Sequence, residues 1–445
     1  MNTGGVQAHE LLSRIAHLSL EHGRAQTAST VAVVAGTVVM LAASRSARPP
    51  ILRAAAVAVP VTAVIGGAVW ATYRPLPNQI PPAGYAWIWL AVGVLVLAGA
   101  LLLRRPGIRR AVVIGTAGAM VAAAAVGQVN AEVGVFPTVG SLAGHRPPTV
   151  VEPVSFADVP GFESAVQSGI PMDSVWTRPV RTPGSGAVTE VEIPGTESGF
   201  PARPAVLYLP PAYLTSPRAV LPVMVMIAGQ PGRPQDWFRS GRLGSTVDAY
   251  AARHDGLAPV VVVVDALGSQ DANPLCLDSA LGNAATYVAR DVPAWIEKSL
   301  QVSRDPAQWA IGGFSYGGTC SIQLAVNYPA IYPTFLDFLG QDEPSLGDHA
   351  GTVAATFAGD ERAFAAVNPV DVLRTRQFPE LTGVFVAGAA DDEYRPQQQR
   401  MFAAAQAAGL NVRYYELPGG HEGATWGAAL EREMDWTGRQ LGLTN

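Results

Sequence analysis

The sequence predicts an α/β fold, a doubly wound and mostly parallel sheet flanked by helices, preceded by about four membrane-spanning helices. Three observations predict it. From residue 172 onward, apolar runs alternate with helical patterns, the signature of strands and covering helices in turn. Most of those runs are continuously apolar, so they read as strands buried on both faces. Finally, the chain has a mean hydropathy of +0.21 with 15% charged residues, and its apolar excess sits mostly in the first 131 residues.

That N-terminal region carries four apolar runs, at about 27–43, 54–73, 86–103 and 111–131. Each approaches the ~20 residues that cross a bilayer as a helix, and none has a charge in its middle. The links differ in charge. "SRSARPPILR" holds Arg45, Arg48 and Arg53, and "RRPGIRR" holds Arg104, Arg105, Arg109 and Arg110, whereas the link between the second and third runs has only Arg74. Basic links stay on the cytoplasmic side. A multi-pass cell-membrane region is therefore expected, with everything after the fourth run outside. A cleaved signal peptide ending at "LAAS" would put Arg45–Arg53 outside, against that rule. Residues 132–171, rich in Pro, Gly and Ser, read as an extracytoplasmic linker.

Residues 172–445 form the α/β domain. "AVTEVEIPG" and "PAVLYLP" alternate; "VLPVMVMIAG", "APVVVVVDAL", "QWAIGGF", "YPTFLDFLG" and "LTGVFVAGA" are buried-strand runs, and "NVRYYELP" is the last strand. Helical patterns fall at 283–300, 319–327, 395–408 and 424–441. In such a sheet, chemistry gathers in the loops after the carboxyl ends of strands.

"IGGFSYGGTC" lies there, with Ser315 directly after a strand and before a helix. Gly313 and Gly317 suit a tight bend in which strand and helix pack closely and the serine hydroxyl is presented. A serine needs a base, and the base an orienting acid, in the chain order Ser, Asp/Glu, His. His421 in "LPGGHEGATW" follows the last strand; His254 and His349 are the other histidines of the domain. "HEGAT" lacks the second histidine of a zinc helix, and no metal is expected. For the acid, "VFVAGAADDEYRP" offers Asp391, with Asp392 and Glu393 as adjacent competitors. Oxyanion donors are expected from the backbone N–H of Tyr316 and, in "MIAGQPGRPQDW", that of Gln230.

Cys276 and Cys320 are the only cysteines. An oxidising compartment permits a bridge between the loop after "VVVVVDALG", a strand expected to neighbour the Ser315 strand, and the helix after Ser315. Two buried free thiols are the alternative.

"GGFSYGGTC", "AGAADDEY" and "PGGHEGATW", with "IAGQPG…DW", resemble the esterase-D and mycolyltransferase-like branch of the α/β-hydrolases over roughly residues 187–443. "CLDSALGNAATYVARDVPAWIEKSL" is similar to the helix before the serine turn in actinobacterial members. The resemblance implies the α/β-hydrolase fold, a carboxylesterase or acyltransferase activity without metal or organic cofactor, and Ser315, Asp391 and His421 as nucleophile, acid and base. The N-terminal helices depart from the secreted mycolyltransferases, which makes hydrolysis the first expectation.

The sequence thus points to a membrane-anchored, extracytoplasmic serine esterase cleaving an acyl ester of an envelope lipid or glycolipid. The alternatives are an acyltransferase acting on a carbohydrate or lipid alcohol, and an inactive membrane-tethered scaffold. A net charge of -5 without a Lys/Arg stripe argues against nucleic acid. The oligomeric state is left open. The loop "QDEPSLGDH", with Asp342, Glu343 and Asp348, is expected to overhang the serine and to bias selection towards neutral or cationic head groups.

Overall fold

The computed structural model describes residues 24–43, 57–64, 66–67, 82–133, 161–162 and 170–445. The chain divides into two compact units, one N-terminal and one spanning most of residues 146–445.

The N-terminal unit contains helices α1 (Arg24–Ala43), α2 (Pro82–Leu102) and α3 (Ile108–Val133). Small residues let them approach closely: a Cβ on Gly36 would collide with Val121, and Gly118 packs on Ala98. Met40, Leu97, Ile114 and Val121 are buried between them, while Val31, Val112 and Val126 point outward. Polar contacts also join the helices, such as Ser29 Oγ of α1 donating to the Ala124 carbonyl of α3 at 2.8 Å. The segments Gly84–Leu102 and Ile108–Asn130, with mean hydropathy 2.2 and 1.8, are long and apolar enough to cross a membrane.

Two such helices, instead of the four expected, occur among the described residues. The apolar part of α1 is only Thr27–Ala43, which at about 1.5 Å per residue falls short of a ~30 Å hydrocarbon core. Half of the run 54–73 lies outside the described residues; the described half, 57–64 and 66–67, is helical.

The second unit is built on an eight-stranded sheet: β1 (Ala187–Val191), β2 (Ala205–Leu209), β3 (Val223–Ile227), β4 (Val260–Val264), β5 (Trp309–Phe314), β6 (Thr334–Phe338), β7 (Thr382–Gly388) and β8 (Asn411–Leu417). Their spatial order is β1-β2-β4-β3-β5-β6-β7-β8. β2 runs antiparallel to both neighbours and the others are parallel. Every residue of β3, β4, β5 and β6 is buried, as their unbroken apolar runs required. Edge strand β8 is only half-buried.

The order places the site. Between β3 and β5 the winding reverses, and outside the carboxyl ends of two such strands open α/β sheets form their ligand crevice. The strand expected to neighbour β5 was β4, yet β3 stands between them: Val225 is in register with Val262 on one side and Ile311 on the other. Helix α4 (Tyr316–Asn327) follows β5 and is buried from Tyr316 to Val326, which explains its Gly, Ala, Ser and Cys content.

Two helical regions differ from the periodicity. The pattern at 283–300 is broken by a wide turn, Tyr287–Asp291, ahead of Pro293, which has no N–H to continue a regular ladder. That turn carries the Asp291 carboxylate inward, where it accepts from the backbone of Glu197 and Ser198 and from the Ser198 hydroxyl. Between β6 and β7, helices His349–Phe357, Glu361–Ala365 and Pro369–Thr375 were not anticipated; they are short, and two begin at capping aspartates, Asp348 and Asp360.

Candidate active site

Ser315 occupies a backbone conformation, φ 55° and ψ −120°, that L-residues avoid. Such strain is held only where the surroundings leave no alternative, and it recurs at functional turns. A Cβ on Gly313 would occupy the backbone of Gly317, and one on Gly317 would meet the Ile227 carbonyl, so both positions admit nothing larger. The Ser315 N–H donates to the Phe338 carbonyl at 2.8 Å, pinning the bend to β6.

The loops after β7 and β8 are joined backbone to backbone. Ala389 N–H donates to Leu417 O at 2.7 Å and Ala390 N–H to Gly419 O at 2.8 Å. A Cβ on Gly388 would strike the Gly419 and Gly420 carbonyls, so this approach requires glycine. The result brings three predicted residues together. His421 Nε2 lies 2.8 Å from Ser315 Oγ, and His421 Nδ1 lies 2.8 Å from Asp391 Oδ2. The second oxygen of fully buried Asp391 accepts from Tyr394 N–H at 3.0 Å.

The competing acids are elsewhere. The Asp392 side chain is 95% exposed beside Arg395, and Glu393 is exposed. The other two histidines of this unit that are described are occupied too: His254 packs on Tyr250, and burial lowers its pKa, while His349 sits between Glu343 and Glu361.

Gly229 adjoins the serine, since a Cβ there would stand 3.4 Å from that of Ser315, so Gln230 lies at the crevice. The Gln230 side chain donates to the Asp271 carbonyl at 3.1 Å. Tyr316, next to Ser315, is buried. Among the described residues, no group of three or more potential metal-ligating side chains occurs.

Several residues around the site had no local signal. Arg203 makes a forked pair with Asp265 and donates to the Gly232 carbonyl at 2.8 Å, holding the loop after β3. The Trp237 indole donates to the Ile227 carbonyl at 2.9 Å. Trp426 stacks on Phe314 with 4.2 Å between ring centroids, and the Tyr394 ring lies 4.3 Å from that of His421. The quoted runs "PQDW", "DDEY" and "HEGATW" contain Trp237, Tyr394 and Trp426, but nothing in their spacing marked these contacts.

The acidic loop is not a set of available charges. Asp342 pairs with Arg400 at 2.6 Å, Glu343 with His349 at 3.0 Å, and Asp348 caps the helix His349–Phe357 through Gly351 N–H. The expected bias of substrate selection is therefore not supported: nearby partners on helices already hold these carboxylates.

Cys276 and Cys320 are joined in a disulfide, with 5.6 Å between Cα atoms. A loop closed over a sequence separation of 44 stabilises the fold by about 4 kcal/mol in the chain-entropy account. The loop after β4 reaches α4 by passing over β3.

Asp337, in β6 beneath the serine bend, is fully buried. One oxygen accepts from Gln398 Nε2 at 2.8 Å and Gly340 N–H at 3.1 Å; the other has no partner. Burial raises its pKa from 3.8 to about 7, against the two hydrogen bonds. The folded state thus binds the proton more tightly than the unfolded state. The stability this contributes is fully present below pH 3.8 and is lost as pH rises through about 7. Asp337→Asn should consequently gain in Tm over wild type between pH 5 and pH 8, by about 5 °C or more. Thermal melts at both values check this; a Tm difference independent of pH would refute the linkage.

Comparison with known proteins bears on the family and the fold. A family model described as "Putative esterase" matches residues 202–437. An uncharacterised protein of Corynebacterium glutamicum is 37% identical over 393 residues, covering 86% of this chain and 88% of that protein. That length exceeds the segment 170–445, so the likeness reaches into the N-terminal region. A ferulic acid esterase structure superposes with a TM-score of 0.50 at 16% identity, over 59% of this chain and 100% of its own, and shows the shared fold. An S-formylglutathione hydrolase from Agrobacterium tumefaciens has a TM-score of 0.49 at 17% identity, over 59% of this chain and 98% of its own. The fold is that of the α/β-hydrolases, and the chain belongs to the esterase family as a serine hydrolase of carboxylic esters.

Proposed function

We propose that this protein is a membrane-anchored serine esterase whose second unit works outside the cytoplasmic membrane on an acyl ester of an envelope lipid or glycolipid. The observation that carries the chemistry is the continuous hydrogen-bonded line from Ser315 Oγ through His421 to Asp391, 2.8 Å at each step. Ser315 Oγ attacks the ester carbonyl while His421 Nε2 takes its proton. Asp391 keeps the opposite ring nitrogen protonated and faces the imidazolium that forms. The carbonyl oxygen, now anionic, receives the backbone N–H groups of Tyr316 and Gln230. Collapse breaks the bond to the alcohol, which leaves with the proton from His421, and Ser315 stays acylated. Water then attacks the acyl carbon, losing a proton to His421; collapse breaks the bond to Ser315 Oγ, which takes that proton back as the carboxylic acid leaves.

The location rests on charge and redox chemistry. Arg104, Arg105, Arg109 and Arg110 cluster at the turn between α2 and α3, as on the cytoplasmic side of a membrane. A disulfide in the second unit suits an oxidising compartment. The four-run, multi-pass anchor is part of this proposal, and proximity to the outer leaflet is the reason for naming a lipid-derived ester. Alkaline phosphatase fused after Asn445 is active only outside and should be active here; fluorescence of a reporter that matures only in the cytoplasm would overturn the topology.

A further inference from the structure

Residue 276 is gripped at every polar handle by one face of one helix. Its N–H donates to the Tyr316 hydroxyl at 3.0 Å, its carbonyl accepts from Gln323 Nε2 at 2.5 Å, and its sulfur is bonded to that of Cys320. Tyr316, Cys320 and Gln323 fall at i, i+4 and i+7 of α4, a single stripe. Leu275 and Cys276 both sit at positive φ, 63° and 49°, a backbone that persists only under such constraint. The Tyr316 hydroxyl also donates to the Ala266 carbonyl at 2.9 Å, so it spans both ends of the segment 265–277. Burial pushes its pKa upward, keeping the phenol a neutral donor.

The same segment holds the opposite wall of the crevice. The Gly232 N–H donates to the Gln270 carbonyl at 3.0 Å, and the Gln230 side chain donates to the Asp271 carbonyl at 3.1 Å. Asp265, at the start of the segment, binds Arg203, which reaches the Gly232 carbonyl. One loop therefore ties the residue after the serine to the loop after β3.

We infer that the segment 265–277, riveted to α4 through Tyr316 Oη and the Cys276–Cys320 bridge, is the spacer that sets the two oxyanion N–H groups against each other, with Tyr316 and Cys276 as positioning residues. This rests on the esterase reading above. An oxyanion forms only during reaction, so loosening the spacer weakens the transition state and leaves substrate binding alone.

The test uses the full-length protein in detergent, with rates normalised to serines titrated by a fluorophosphonate. Tyr316→Phe keeps the ring and removes the hydroxyl. It should lower kcat about 10- to 100-fold, with KM within about twofold and affinity for a trifluoromethyl ketone falling in step with kcat/KM. Wild-type protein reduced with a phosphine, both thiols verified by alkylation, should show the same split. A folded Tyr316→Phe with unchanged kcat per titrated serine overturns the positioning role, as does a loss explained wholly by fewer titratable serines. Should Tyr316→Phe not fold, the reduced wild type decides by the same criterion. Absence of any Ser315-dependent turnover in wild type would instead refute the esterase reading itself.

Discussion

Ser315→Ala should lower ester turnover by on the order of 10⁴-fold or more while leaving the fold intact. The hydroxyl supplies the atom that bonds to the acyl carbon, and no neighbouring group replaces it. Its one side-chain contact is the hydrogen bond to His421, so the loss in stability should be about 1 kcal/mol. Hydrolysis of a p-nitrophenyl acylate, with labelling by a fluorophosphonate, measures the first part; a melting curve measures the second. A variant that turns over like wild type would remove Ser315 from the chemistry.

The second large effect separates neighbouring acids. Asp391→Asn should cost about 10³- to 10⁴-fold in kcat, because the amide would favour the wrong ring tautomer of His421. His421→Ala should approach the loss seen at the serine. Asp392→Asn should change kcat less than about twofold, since that carboxylate is solvated and its pairing with Arg395 spans 3.7 Å. Comparable losses at 391 and 392 in folded variants would mean that the hydrogen-bonded line is not the working one.

The strands were legible because each buried run is a local pattern: "VVVVV" and "WAIGGF" needed no partner to be recognised. The serine turn was legible for a related reason, since Gly313 and Gly317 record a steric demand at fixed spacing. Strand order was not. Whether β3 or β4 lies beside β5 depends on pairing between distant segments, and no periodicity encodes it. The acidic loop misled because Asp342, Glu343 and Asp348 look available until Arg400, His349 and a helix end are placed beside them. The first apolar run is decided by length rather than pattern, since a few residues determine whether Thr27–Ala43 reaches across. The segment 265–277 offered only its cysteine.

The three aligned residues are held with unequal firmness. Ser315 stands between the wholly buried β5 and a helix buried almost to its end, whereas His421 hangs beyond β8, the half-buried margin of the sheet. Segments with fewer buried contacts open more often than the global unfolding event, and do so independently of it. The nucleophile therefore belongs to the buried centre of the sheet, and its base, though buried itself, to a loop that leaves the margin. A chain stressed by heat or denaturant would first become an inert but still folded body, its serine in place and its proton acceptor displaced. Recovery from that condition requires only re-seating a margin, without rebuilding a core.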